Sequence, residues 1–477
     1  MDDLDAWKKL AREHRGITQS LADFVASMPE RPIPAATRAV LSKAVVDAIG
    51  CGLYGLTTPW GRIIHGFAAE QGGPPQARLW ASGARVGAGH SVLAAATAVH
   101  SFDFDDHSRA KIHPGAIVVP VALALGEQVG ADGARVLAAV AAGYETMNRV
   151  SQGANPGRAR MRGWHLTGTC GTLAAAATAS VLLGLDARTT ASALGLAGTQ
   201  SAGLWAFTSD GSMSTRIHPG KAAQDGLNAA LLAQRGFEGP RHILEAEDGG
   251  LLFAMSDTPR PGRVTEGLGE VWHSDMTCFK PHACCGSNHA CVDAVIELMR
   301  EHDLHIDDVA RLVAGIPRVV NTQTGFDYEA DSVLNAQMSL RYNVAIAMHD
   351  RQAYLEQFTP ERIVDPEVVS LAHRLEIEIH DDVDRAYPEI YGGRIVLMLH
   401  DGRRLERHVE YSRGMPENPM SMDEIERKFL SLAGAAVGAE AAAAVLALAR
   451  GVFDAPSMEP LNERLSQCRV PGLTATN

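Results

Sequence analysis

Residues 91–125 read SVLAAATAVHSFDFDDHSRAKIHPGAIVVPVALAL. Small and apolar residues lead in (SVLAAATAV) and lead out (AIVVPVALAL). Between them, residues 100–115 hold three carboxylates (Asp103, Asp105, Asp106), three histidines (His100, His107, His113) and two cations (Arg109, Lys111). Each flank suits a helix that buries its whole surface. Such a pair packs inside a helical bundle, and the loop that joins it places its charges at one end. That mixture of signs and histidines is dense for a solvated turn.

Outward from this stretch, helical periodicity covers residues 18–70 and 88–103, and resumes after Gly115 through Glu127. Further helices are expected at 132–150, 168–184, 187–198 and 219–235, the last capped by Gly236. The texture changes near residue 270. VARLVAGIPRVV, RLEIEIHDD and RIVLMLHDGRRLERHVEY alternate as strands do, and Asp401-Gly402 reads as a hairpin turn. SLRYNVAIAMHD is a helix between two of them, and helices return over 422–455. The expected fold is mainly α. A large all-α domain spans 1–269 and is completed by 409–477, with a smaller α+β lid domain inserted at 270–408.

Composition agrees with helices that approach closely. The 477 residues are 46% apolar and 21% charged, with 46 glycines and only 5% aromatics. Net charge is −13, which disfavours nucleic acid and, more weakly, an anionic membrane surface. Seven cysteines at irregular spacing suggest free thiols. The start, MDDLDAWKKLAREH, lacks the pattern of a signal peptide. No run is expected to reach a membrane span, CGTLAAAATASVLLGL being the nearest. A cytoplasmic protein is the expectation.

Four stretches carry candidate chemistry. In the opening loop His113 precedes Pro114-Gly115, which pushes its backbone toward an extended helix entrance. A histidine there suits general acid or base work, and Asp103 can fix its tautomer. Asp105, Asp106 and the histidines keep a metal hydrolase open, although no standard ligand spacing is present. In RARMRGWHLTGTCGT, Arg158, Arg160 and Arg162 alternate ahead of His165; guanidinium groups clamp carboxylates. RIHPGKAAQDG repeats the His-Pro-Gly theme at His218, with Arg216 beside it, so two helix entrances are expected to converge. WHSDMTCFKPHACCGSNHACVDAV holds four cysteines and three histidines, but adjacent Cys284-Cys285 cannot easily share a tetrahedral zinc. Lys280 is the better candidate there, as a fixed cation. Tyr144 and Tyr342 are core aromatics unless they face a cleft.

Together, DFDDHSRAKIHPGAIVVPVALALGE, RGWHLTGTCGTLAAAA, LGLAGTQSAGL, HPGKAAQDGLNAALLAQRGFEGP and AQMSLRYNVAIAM resemble the MmgE/PrpD family over roughly residues 18–460. That family includes 2-methylcitrate dehydratase, cis-aconitate decarboxylase and iminodisuccinate epimerase. The resemblance implies a large helical domain, a lid domain, a homodimer, and a site between the domains that uses no metal and no cofactor. Its substrate would be a small polycarboxylate. The decarboxylase-type site carries over to Asp103, His113, His165, Lys280 and Tyr342. Two positions depart: His107 stands where the decarboxylase has Thr, and Thr215 where it has Lys. A lost lysine removes one carboxylate partner unless Arg216 replaces it. The epimerase's Tyr–Lys pair maps to Tyr144 or Tyr342 with Lys280. The implied chemistry is a dehydration or decarboxylation next to a carboxylate, with epimerisation or an inactive acid-binding protein as the alternatives. His113 is the expected base or acid, Asp103 its orienter, and His107 or Tyr342 a second donor. Lys280, His165 and an arginine from 158–162 or Arg216 would stabilise the charge, with Thr215 and His218 beside it.

Overall fold

The computed structural model describes residues 2–209, 211–387 and 390–473. The chain divides into two compact units. The first comprises Met1–Phe207, Met213–Thr277 and Ser421–Asn477; the second comprises Thr208–Ser212 and Cys278–Met420. The fold is mainly α, and the four-stranded sheet lies in the second unit.

The first unit is built around one buried helix, Leu166–Leu183, of which every residue through Leu182 is inaccessible. It packs against helices Gly133–Gly153, Gly115–Gln128, Ala187–Gly198 and Ile217–Gln234. Small residues permit the approach. A Cβ on Gly226 would lie 2.2 Å from the Thr172 carbonyl, and one on Gly171 would lie 2.1 Å from Ile117 Cδ1. Three hydroxyls on this helix are satisfied within it: Thr172, Thr178 and Ser180 donate to the carbonyls of Gly168, Ala174 and Ala176. A helix can therefore carry hydroxyls into a dry core at little cost. By length and composition alone this helix could cross a membrane, which corrects the expectation that no run is long enough. It is 94% buried inside the protein, so its apolar surface is taken up by neighbouring helices.

The opening stretch folds as helix Ala88–Val99, a loop, and helix Gly115–Gln128. The first helix ends four residues before the expected 103. Asp103 and Lys111 take left-handed backbone (φ 52° and 58°), which no helix can contain. At the second His-Pro-Gly the helix starts at Ile217, slightly earlier than expected, and ends at Gln234, with Gly236 at φ 88° beyond it.

In the second unit the strand order is Leu375–Ile379, Val309–Ile316, Gly393–Leu399, Arg404–Val409. The first pair is parallel and the other two are antiparallel. Asp401-Gly402 makes the expected hairpin, with Gly402 at φ 90°. Alternate residues Gly393, Ile395, Leu397 and Leu399 face inward, under helix His289–Glu301. The strand in VARLVAGIPRVV stops at Ile316, a correction to its expected length. Pro317 lacks the N–H that a ladder needs and instead leads into helix Arg318–Thr324.

This packing makes opposite predictions for two glycines. Gly226→Ala should lower stability by about 1–3 kcal/mol through overpacking. Gly66→Ala, in helix Pro59–Gln71 with nothing within 4 Å of the new methyl, should raise it by about 0.5–1 kcal/mol. Urea unfolding of both variants checks the pair; equal effects would contradict the packing.

Candidate active site

The loop from His100 to Pro114 is tied down along its length. Ser108 N–H donates to the Ile112 carbonyl at 3.0 Å, and Ser108 Oγ donates to Asn148 Oδ1 at 2.8 Å. Ser151 Oγ donates to the Ala110 carbonyl at 2.6 Å. Both partners sit on helix Gly133–Gly153. From helix Met422–Val437, Lys428 Nζ donates to the Phe104 carbonyl, lies 4.0 Å from the Phe104 ring centre, and pairs with Asp47 at 2.7 Å. Burial pushes the Lys428 ammonium toward neutrality, but Asp47 outweighs it and raises its pKa.

The carboxylates of this loop face different partners. Asp105 is fully buried, and His100 Nδ1 stands 3.0 Å from both of its oxygens. His113 Nδ1 lies 3.2 Å from Asp105 Oδ2, out of line for a hydrogen bond. Burial opposes the charge on Asp105, yet His100 and His113 outweigh it and hold the carboxyl well below its usual range. Asp106 turns the other way. It accepts from Tyr144 Oη at 2.9 Å and from Gly115 N–H at 3.0 Å. Burial, then Asp105 and Asp47, push its pKa well above the ordinary value. Asp103 reaches toward His113 Nε2, at 3.7 Å.

Both His-Pro-Gly glycines mark close approaches. A Cβ on Gly115 would lie 2.1 Å from Asp106 Oδ1, and one on Gly220 would lie 2.2 Å from Thr97 Oγ1 on helix Ala88–Val99. The two helix entrances therefore press against neighbours at one end of the unit, and their histidines converge. Ring centres run His107–His113 6.1 Å, His113–His100 4.6 Å, His100–His165 6.1 Å and His165–His218 5.0 Å. His165 precedes helix Leu166–Leu183 and packs edge-on against Trp205 and Phe207. Its Nδ1 is 2.7 Å from Nδ1 of His218. Burial first, then His218, His100, His113 and Arg160, hold His165 well below the usual histidine range. Burial and His100 bring His218 down to about 4.

Arg216 is the buried cation of this cluster. Its Nη1 donates to the His100 carbonyl at 3.3 Å, and its guanidinium stands over Trp60 at 5.4 Å. Burial lowers its pKa, while Asp103 and Asp105 oppose that shift. Thr215 is buried beside it.

The expected residues thus do not all gather in one place. Asp103, His107, His113, His165, Arg216 and His218 come together. Tyr144 is adjacent but committed to Asp106, and burial pushes its hydroxyl well above the ordinary range, which makes it a poor acid. Arg158 and Arg162 do not join: Arg158 pairs with Asp257 at 3.0 Å on the surface, and Arg162 is exposed. Arg160, on the other face of helix Pro156–Met161, stacks on Trp205 at 3.7 Å. Residues 158 and 162 share a helix face and 160 opposes them. Lys280 and Tyr342 belong to the second unit. Lys280 is buried there; Tyr342 is fully buried, donates to the Gln357 carbonyl and packs on Tyr328 and Phe358.

His100 was not singled out as a catalytic or binding residue, although it opens the loop and counts among the histidines of the metal-hydrolase reading. Metal-ligand geometry occurs once among the described residues: His100, Asp103, Asp105 and His113 each bring one ligand atom within 4.8 Å of the others. Two imidazoles and two carboxylates suit a divalent first-row ion. Asp106, which the metal-hydrolase reading used, is outside that group. The cysteine-rich stretch forms no such group among the described residues, and none of the seven cysteines is in a disulfide.

Acid should loosen this site. The unfolded chain protonates histidine near pH 6.5, whereas His218 folded does so only near 4 and His165 lower than usual. Between those values the unfolded state binds more protons, so stability falls as pH falls from 7 toward 4. Melting temperatures measured at pH 7, 6 and 5 should drop steadily. The drop should be shallower in His218→Phe; the same slope in both proteins would contradict this account.

Two family descriptions match the chain: the MmgE/PrpD N-terminal domain over residues 19–262 and the MmgE/PrpD C-terminal domain over residues 282–452. Three curated relatives resemble it over most of their length. Cis-aconitate decarboxylase of Aspergillus terreus is 26% identical over 472 residues, 94% of this chain and 96% of the relative. Cis-aconitate decarboxylase-like protein oryM of Aspergillus oryzae is 28% identical, covering 89% and 92%. Cis-aconitate decarboxylase of Homo sapiens is 26% identical, covering 87% of each.

Proposed function

The chain belongs to the MmgE/PrpD family, and from that premise we propose that it is a cofactor-independent lyase acting on a small tricarboxylic or dicarboxylic acid. The names of its relatives favour decarboxylation. The observation that carries the proposal is the gradient of burial across the histidine cluster. Asp105 is sealed, the His100 side chain is 4% exposed, and His113 and Asp103 are 16% and 15% exposed. The sealed carboxylate fixes the rings, and the accessible imidazole meets the substrate.

In this reading the C–C bond to one carboxylate breaks and CO2 leaves. The electron pair stays on carbon and spreads into the remaining conjugated acid. The cluster's imidazoles supply one proton to that carbon; His113, its ring oriented by Asp103, faces the substrate as acid or base. Arg216 offers fixed positive charge where the anion develops, in a dry setting where it costs no reorganisation. Dehydration uses the same groups, with His107 protonating the leaving hydroxyl. Epimerisation would need proton removal and return at one carbon. The homodimer and the cytoplasmic location belong to the same proposal.

Incubation with cis-aconitate, citrate, 2-methylcitrate and iminodisuccinate in D2O, with and without EDTA, distinguishes these outcomes by NMR. CO2 loss with one deuterium incorporated, unaffected by chelator, is expected. Deuterium exchange without bond loss would replace the lyase by an epimerase, and chelator-sensitive turnover would replace both by the metal site. His113→Ala should cost about 10²–10⁴ in rate; full activity in that variant removes His113 from the chemistry.

A further inference from the structure

The contact between His165 and His218 joins two imidazoles through the same kind of atom, Nδ1 to Nδ1, at 2.7 Å. A hydrogen bond at that distance needs one proton between the two nitrogens. If both rings are neutral, one carries hydrogen on Nδ1 and the other on Nε2. The tautomers are then forced to be complementary. Nothing nearby favours a charged ring. Trp205 and Phe207 wall His165, the Arg160 guanidinium stacks on Trp205 at 3.7 Å and adds positive charge nearby, and His100 is the next ring at 6.1 Å. The pair also spans the site's edge: His165 is 4% exposed, whereas His218 is only partly buried.

We propose that His165 and His218 form a neutral tautomer relay that carries protons between solvent and the substrate carbon, His218 acting as a positioning residue for His165. This rests on the reading of the cluster as a proton-transfer site. In one state His218 Nδ1–H donates to His165 Nδ1, and His165 carries its proton on Nε2. His165 Nε2–H then gives its proton to the substrate carbanion. In the same event His218 Nδ1–H passes to His165 Nδ1, and a water proton arrives at His218 Nε2. One N–H bond breaks and one forms on each ring, so neither becomes charged; the carbanion's electron pair takes up one proton from water, and the released CO2 takes up the hydroxide left behind as bicarbonate. The 2.7 Å contact survives with its hydrogen reversed. In this second state His165 presents a free Nε2 lone pair and is a base. The pair alternates between acid and base without ever forming a buried imidazolium, the species that the surroundings penalise most.

The relay gives His218 a role other than the substrate contact expected from sequence. Gly168 lets the His218 segment approach its helix: a Cβ there would lie 3.3 Å from His218 Cβ and 2.6 Å from the Ala202 carbonyl.

The test uses the full-length protein labelled with 15N-histidine. Long-range 1H–15N spectra should show both rings neutral at pH 7, one protonated on Nδ1 and its partner on Nε2, or the two in exchange between those forms. An imidazolium on either ring at pH 7 overturns the relay. His218→Asn can accept or donate to His165 Nδ1 but cannot pass a proton through, and His218→Phe can do neither. With circular dichroism unchanged, both variants should lose about 100-fold in kcat with little change in KM. Wild-type activity in His218→Asn would reduce His218 to a structural prop and overturn the proposal. If the spectra show the complementary pair while no carboxylic acid reacts with the wild-type protein, the relay geometry stands and the lyase reading fails instead.

Discussion

One carboxylate with no access to water organises this site. Asp105 is sealed among apolar helices, where an isolated charge would be prohibitive. It persists because His100 reaches both of its oxygens and His113 lies against one. Those contacts fix two rings that come from opposite ends of a fifteen-residue loop, and so they fix the loop. The outer ties to Asn148, Ser151 and Lys428 hold the same segment from two helices distant in sequence. The loop's left-handed residues, Asp103 and Lys111, are conformations that such a frame can sustain.

The frame in turn depends on small residues. Helices that carry glycine, alanine and hydroxyls bonded within the helix can approach until backbones nearly touch, as at Gly226. That closeness brings the ends of helices Gly115–Gln128, Leu166–Leu183 and Ile217–Gln234 to one place. His113, His165 and His218 each stand at or near the beginning of one of them. Larger residues along the shafts would part the entrances and separate the rings by more than the few ångströms that a proton can cross.

Electrostatics then divides labour among similar groups. Asp105 and Asp106 are sequence neighbours, yet imidazoles pull the first toward the ionised form while burial and like charge push the second toward the protonated one. Two histidines are pushed the same way: burial lowers both His165 and His218, helped by His218 and His100 at the first and by His100 at the second. That pair thereby adds no positive charge to the cluster, and Arg216 is the fixed cation facing Asp103 and Asp105.

Much of this was legible in the residues themselves. Apolar runs and turn residues specify helices and the Asp401-Gly402 hairpin because periodicity and turn chemistry are local properties. The density of titratable groups between 100 and 115, and the repeated His-Pro-Gly, marked the functional end for the same reason. What the chain could not display locally is which faces meet. The choice of Arg160 over Arg158 and Arg162 depends on which side of a six-residue helix looks inward. The assignment of Tyr144 to Asp106, and of Lys428 to Asp47 across some 380 positions, depends on packing that brings remote segments together. The pairing of His165 with His218 is of this kind too: spacing announces two histidines, but only the folded bundle, by excluding water and leaving 2.7 Å between two Nδ1 atoms, decides that they share one proton.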